Sequence, residues 1–100
     1  MALLSSFTSD RLKVRIFESR AEMGACAASD AAACLRSLLQ EKSEVNIIFA
    51  AAPSQNETLA ALAQAPGIDW KRVNAFHMDE YVGLNADAPQ RFARYLYDQI

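Results

Sequence analysis

Leu12, Val14 and Ile16 alternate with Lys13 and Arg15 along RLKVRIF, residues 11 to 17. A period of two is the pattern of a half-buried strand, and the flanking charges place it at or near a sheet edge. The period then lengthens. From Arg20 to Lys42, the residues Met23, Cys26, Ala27, Ala31, Cys34, Leu35, Leu38 and Leu39 recur at steps of three and four. That spacing predicts a core-facing helix of about six turns. Ser19, with Glu22 three positions on, forms a capping-box pattern at its start. Asp30 falls near the apolar stripe and is expected at its edge, within reach of water.

The unbroken apolar run VNIIFAAA, residues 45 to 52, predicts a strand buried on both faces and central in a parallel sheet. Ser54 and Glu57 repeat the capping-box spacing ahead of a second helix carrying Leu59, Leu62 and Ala63, which Ala65, Pro66 and Gly67 stop. VNAFHM, residues 73 to 78, predicts a third strand, and Pro89 opens a further helix with Phe92, Tyr95 and Leu96 on its apolar face. This alternation of strand and helix predicts an α/β fold, with about three strands in a parallel sheet flanked by three helices.

Composition narrows the class. One hundred residues, 52% of them hydrophobic, with three glycines and three prolines, suit one globular domain. A net charge of -2, without a basic stripe, argues against nucleic acid as a partner. The opening MALLSSFTSD lacks a basic segment, and its apolar run is too short for a signal peptide or a membrane span. A soluble, cytoplasmic protein is expected. Cys26 and Cys34 lie roughly 12 Å apart if helical, too far for a disulfide, and are read as two small buried residues of a reducing compartment. No histidine and cysteine cluster at metal spacing accompanies them.

In a parallel α/β sheet, ligands gather where strand carboxyl ends meet helix amino termini. Two segments occupy such positions. AAPSQNE follows the second strand, and Ser54 there serves either as a plain helix cap or, with the helix amides, as an anion contact. MDEYVGLNADAPQ follows the third, and its adjacent acids Asp79 and Glu80 suit either a solvated turn or general-base chemistry in a partly desolvated pocket. His77, Tyr81 and Trp70 are read as packing residues and Gly83 as a turn.

FHMDEYVGL, residues 76 to 84, followed by Pro89 and Phe92, resembles the signature of the glucosamine-6-phosphate deaminase (isomerase) family. The order of elements is similar to the amino-terminal part of that family's Rossmann-like fold. The resemblance implies that Asp79 is the catalytic base, shuttling a proton between C2 and C1 of the opened sugar phosphate. It further implies that Glu80 and Tyr81 shape the loop rather than transfer protons, with Glu80 a substrate-binding residue. Ser54 would then contact the phosphate, and neither a metal nor a redox cofactor would be needed. A phosphorylated amino sugar or related sugar phosphate is the implied ligand, and a homo-oligomer the possible assembly.

Three departures accompany the resemblance. Alanine and proline at residues 51 to 53 replace the family's usual glycine pair, and Ala88 and Arg91 stand where a histidine and a serine are common. Family members are also considerably longer. The chain is therefore expected to represent the amino-terminal part of a single domain, with little activity in isolation. The alternatives are a hydrolase similar to 6-phosphogluconolactonase and a non-catalytic sugar-phosphate binding domain.

Overall fold

The computed structural model describes residues 3–99. Strands β1 (Leu3–Ser9) and β2 (Leu12–Phe17) are followed by helix α1 (Arg20–Glu41), strand β3 (Val45–Phe49) and helix α2 (Asn56–Ala63). Strand β4 (Val73–His77) and helix α3 (Phe92–Gln99) complete the order. β3 and β4 pair in parallel, whereas β1 and β2 form a separate antiparallel pair. The architecture is α/β with two small sheets, one of them parallel.

The hairpin was not expected, because LLSSFTS lacks a clean alternation and so hides β1. Its turn is only Asp10 and Arg11, and Asp10 adopts φ 53, a left-handed conformation that aspartate tolerates better than most residues. The strand expected at residues 11 to 17 thus joins β1 rather than the parallel sheet. Its apolar face is only partly covered, with Val14 half-buried. Arg15 turns toward α1, donating to the Asp30 carboxylate at 2.5 Å and to Cys26 Sγ at 3.1 Å. Leu12 and Ile16 remain exposed.

Ser19 caps α1 as expected, its hydroxyl accepting from the Glu22 amide at 3.2 Å. The buried stripe of the helix runs through Cys26, Ala28, Ala32, Leu35 and Leu39. Met23, Ala27 and Cys34, all expected inside, are exposed, so only one of the two cysteines is buried. The stripe shifts because α2 seats on the Gly24, Ala28 and Ala32 side. A Cβ on Gly24 would lie 2.7 Å from Glu57 Cβ and 2.9 Å from the Thr58 amide nitrogen, so only glycine permits this approach. At the other end of α1, Arg72 donates to the carbonyls of Leu39, Lys42 and Ser43, satisfying orphan acceptors and anchoring the start of β4 beside β3.

The core gathers Ala28, Ala32, Leu35 and Leu39 of α1 with Val45 and Phe49 of β3, Leu59 and Leu62 of α2, and Leu96 of α3. β3 is not buried on both faces. Val45 and Phe49 point inward, whereas Asn46 and Ile48 face outward beside Asn74 and Phe76 of β4, and Ile48 is 67% exposed. The strand also ends at Phe49, short of Ala52. Pro89 lies in a turn rather than at the start of a helix, and α3 begins at Phe92.

Candidate functional site

Parallel pairing of Phe49 with His77 brings the carboxyl ends of β3 and β4 side by side. The Met78 amide extends the ladder by one bond, donating to the Phe49 carbonyl at 3.1 Å. Residues 50 to 55 and 78 to 91 therefore leave the same edge of the sheet. Both candidate loops lie where an open parallel sheet collects its ligands.

The loop after β3 turns through a short 3-10 helix, Pro53–Gln55, before α2 begins. That turn takes Ser54 out of the capping position. Gln55 occupies the position instead, without a side-chain cap bond, and the expected pairing of Ser54 with Glu57 does not form. Glu57 is drawn away by Arg20, whose guanidinium pairs with it at 2.8 Å and also donates to the Pro53 carbonyl at 3.2 Å. Ser54 is exposed, and its hydroxyl makes no hydrogen bond among the described residues. The loop is secured by its neighbours. Gln55 Nε2 bonds the Ala50 carbonyl, and the Tyr95 hydroxyl of α3 bonds Asn56 Oδ1 and, at 2.9 Å, the Ala52 carbonyl.

The loop after β4 is organised around Glu80. Helix α3 starts with Arg91 in the position before its first turn, as the bond from the Tyr95 amide to the Arg91 carbonyl marks. An arginine has no acceptor to offer the free amides there. Glu80 supplies one from twelve residues upstream: its carboxylate accepts from the amides of Phe92 at 2.8 Å and Ala93 at 3.1 Å. The Tyr81 amide donates at 3.0 Å and Arg91 Nε at 3.3 Å to the same group. Partial burial by itself would push the Glu80 carboxyl up, but the amides of Phe92, Ala93 and Tyr81 and the Arg91 charge outweigh it and hold the group at about 2. Glu80 is thus a fully engaged anion at neutral pH. Tyr81 stacks on Phe92 with centroids 4.8 Å apart, and Gly83, at φ 90, supplies a turn that a residue with a Cβ would strain.

Asp79 stands apart from this arrangement. It is exposed, and its carboxylate makes no hydrogen bond among the described residues. Its main chain is held instead: the His77 Nδ1 lies 2.7 Å from the Asp79 carbonyl oxygen. A cleft of about 810 Å³ lies alongside, lined by Phe49, Trp70, Val73, His77, Leu96 and Tyr97 among others. Neither Asp79 nor Ser54 lines it. Among the described residues, no group of three or more histidine, cysteine, aspartate or glutamate side chains could hold a metal ion, and no helix is long and apolar enough to cross a membrane.

Three residues to which the sequence pattern gave no such role hold these loops, namely Arg20, Arg91 and Tyr95, the last of them read only as part of an apolar face. Each makes a contact across eleven residues or more, which a local spacing rule cannot register, although Arg91 also donates to the Ala86 carbonyl five residues back. The one local hint was an arginine at the start of a helix that lacks a capping side chain.

No family model matches the chain. It is similar to the glucosamine-6-phosphate deaminase of Tolumonas auensis, 45% identical over 42 residues, which is 42% of this chain and 16% of that protein. It is also similar to the glucosamine-6-phosphate deaminase of Listeria innocua, 42% identical over 55 residues, covering 55% of this chain and 24% of the relative. The matched stretches span about a quarter or less of these curated relatives. They support a relationship to sugar-phosphate isomerases of this kind, and neither relative bears a lactonase name.

Proposed function

We propose that this chain carries part of the active site of an amino-sugar-phosphate deaminase, on a scaffold of Rossmann-like type, with Asp79 as the proton-transfer base. The ligand is a phosphorylated aldose bearing an amino group at C2, such as glucosamine 6-phosphate. In the opened sugar, Asp79 takes the C2 proton, the electrons of that bond form a C1–C2 double bond, and the C1 carbonyl pair moves to O1, which takes up a proton from the substrate's own ammonium group. The same carboxyl returns the proton to C1, leaving an imine at C2. Water adds there, ammonia departs, and fructose 6-phosphate results. One carboxylate suffices for both transfers because it is donor and acceptor in turn.

The observation that carries this reading is the division between two adjacent acids. Glu80 is saturated by four donors, whereas Asp79 projects from a strand end with its carboxylate uncommitted. A base must reach a substrate carbon and cannot be occupied by the fold. The similarity to two deaminases supports the same reading. Ser54 is the phosphate contact in this proposal, its hydroxyl exposed at the neighbouring strand end. Glu80 serves the substrate indirectly, by holding α3 and the loop around Asp79.

The test is ammonia release from glucosamine 6-phosphate by a protein that completes this chain to the length of its relatives, and by its Asp79→Asn variant, which keeps the shape of the side chain. Turnover should fall by roughly 10²- to 10⁴-fold, the usual contribution of a positioned base. Equal turnover in the two proteins removes Asp79 from the role. A ligand-dependent rise in melting temperature without any ammonia release would replace catalysis by sugar-phosphate binding alone.

A further inference from the structure

We infer that His77 is a positioning residue for Asp79, with its imidazole fixing the main chain from which the Asp79 carboxylate projects. This role rests on the reading of Asp79 as the base. The contact is short, 2.7 Å from Nδ1 to the Asp79 carbonyl oxygen. A carbonyl oxygen only accepts, so Nδ1 must carry the proton, and in the neutral ring Nε2 is then left as an acceptor. The contact therefore selects one tautomer of the ring.

The ring is itself held in place. His77 is the last residue of β4, in register with Phe49, and its side chain is 27% exposed at the wall of the cleft that Phe49, Val73 and Leu96 share. Its Nε2, 3.9 Å from Glu80 Oε2, makes no hydrogen bond there, since in this tautomer both atoms are acceptors, so the ring is held by its strand position and the Nδ1 contact, while Glu80 is held separately by the α3 amides and Arg91. Three consecutive residues are thus fastened to three different partners. Met78 is bonded to β3, Asp79 to the His77 ring, and Glu80 to α3. Only the Asp79 side chain is left to act. Proton transfer depends on this placement, because a shift of about 1 Å in a reacting group can lower a rate by as much as roughly 100-fold.

The first test is histidine nitrogen NMR on the full chain, at a pH where the ring is neutral. His77 should show a protonated Nδ1 and a pyridine-type Nε2; a ring protonated at Nε2 alone would overturn the inference. The second compares His77→Phe, which keeps a ring but has no donor, with His77→Asn, whose amide can donate from nearly the place of Nδ1. Amide exchange at Met78 and Tyr81, which flank Asp79 and are hydrogen-bonded to Phe49 and Glu80, should rise roughly fivefold in the phenylalanine variant, the loss expected for one hydrogen bond, and return toward the original rate in the asparagine variant. Exchange within α1 should stay unchanged in both. Indistinguishable exchange in the two variants would also overturn it, and should His77→Phe fail to fold, the tautomer of the unaltered chain decides. Neither measurement uses turnover. An Asp79→Asn variant that keeps full activity would therefore sink the base while leaving the His77 anchor standing.

Discussion

The two strand-end loops lie side by side yet are stabilised in opposite ways. Residues 50 to 55 form a short, uncharged path whose carbonyls accept from Gln55 within it and from Arg20 of α1 and Tyr95 of α3 outside it. Residues 78 to 91 carry their own fastener in Glu80, which gathers three amides and a guanidinium onto one carboxylate. The first loop is held by separate bonds at its carbonyls, one of them from the Arg20 guanidinium, the second by a single carboxylate. A carboxylate that serves as a hub makes its loop sensitive to one substitution and to acid, whereas separate contacts from several donors fail one at a time.

The largest effect should come from removing the hub. Glu80→Ala leaves the Phe92 and Ala93 amides and the Arg91 guanidinium without their acceptor, and α3 should detach, seen as lost helical circular dichroism and a lower denaturation midpoint. The pH dependence sharpens the contrast. The Glu80 carboxyl lies at about 2 in the fold against an ordinary 4.5. The stability it contributes is complete above the ordinary value and is lost progressively as pH falls toward about 2. Glu80→Gln should flatten that part of the acid-unfolding profile, and an unaltered profile would show that the carboxylate is not the hub. Next in size, Tyr95→Phe removes one hydroxyl that bonds Ala52 and Asn56, with an expected loss of about 1 kcal/mol in chemical denaturation. Smallest of all, Ser54→Ala should change stability by less than about 0.5 kcal/mol, since the hydroxyl caps nothing. A loss of about 1 kcal/mol or more would restore it as a cap and erase the difference between the loops.

The sequence pattern resolved what is local and missed what is not. Ser19 capped α1 because cap and amide are three residues apart, and the parallel pair followed from two apolar runs separated by a helix. Ser54 carried the same spacing and failed, because Pro53 starts a 3-10 turn and Arg20 recruits Glu57 from 37 residues away. The contact of Arg15 with Asp30, fifteen residues along the chain, likewise lies beyond a local rule. At the site, the acids were visible as a pair, but their separation into an engaged Glu80 and an open Asp79 required α3 to be placed. A periodicity argument reports which residues share a face; it cannot report which charge a distant element will claim.

The pairing of β3 with β4 joins residues 28 apart, such as Asn46 and Asn74, whereas the hairpin closes across two. Non-local parallel pairing requires loop closure before any contact rewards it, so it is slow compared with helix formation or a tight turn. Asp79 and Ser54 acquire their common edge only at that late step. Until then VNIIF is an unpaired, apolar strand in a chain whose helices are already forming, a species prone to associate with its own kind during synthesis. The order of folding thus places the greatest hazard of misassembly on the same two strands that bring the candidate residues together.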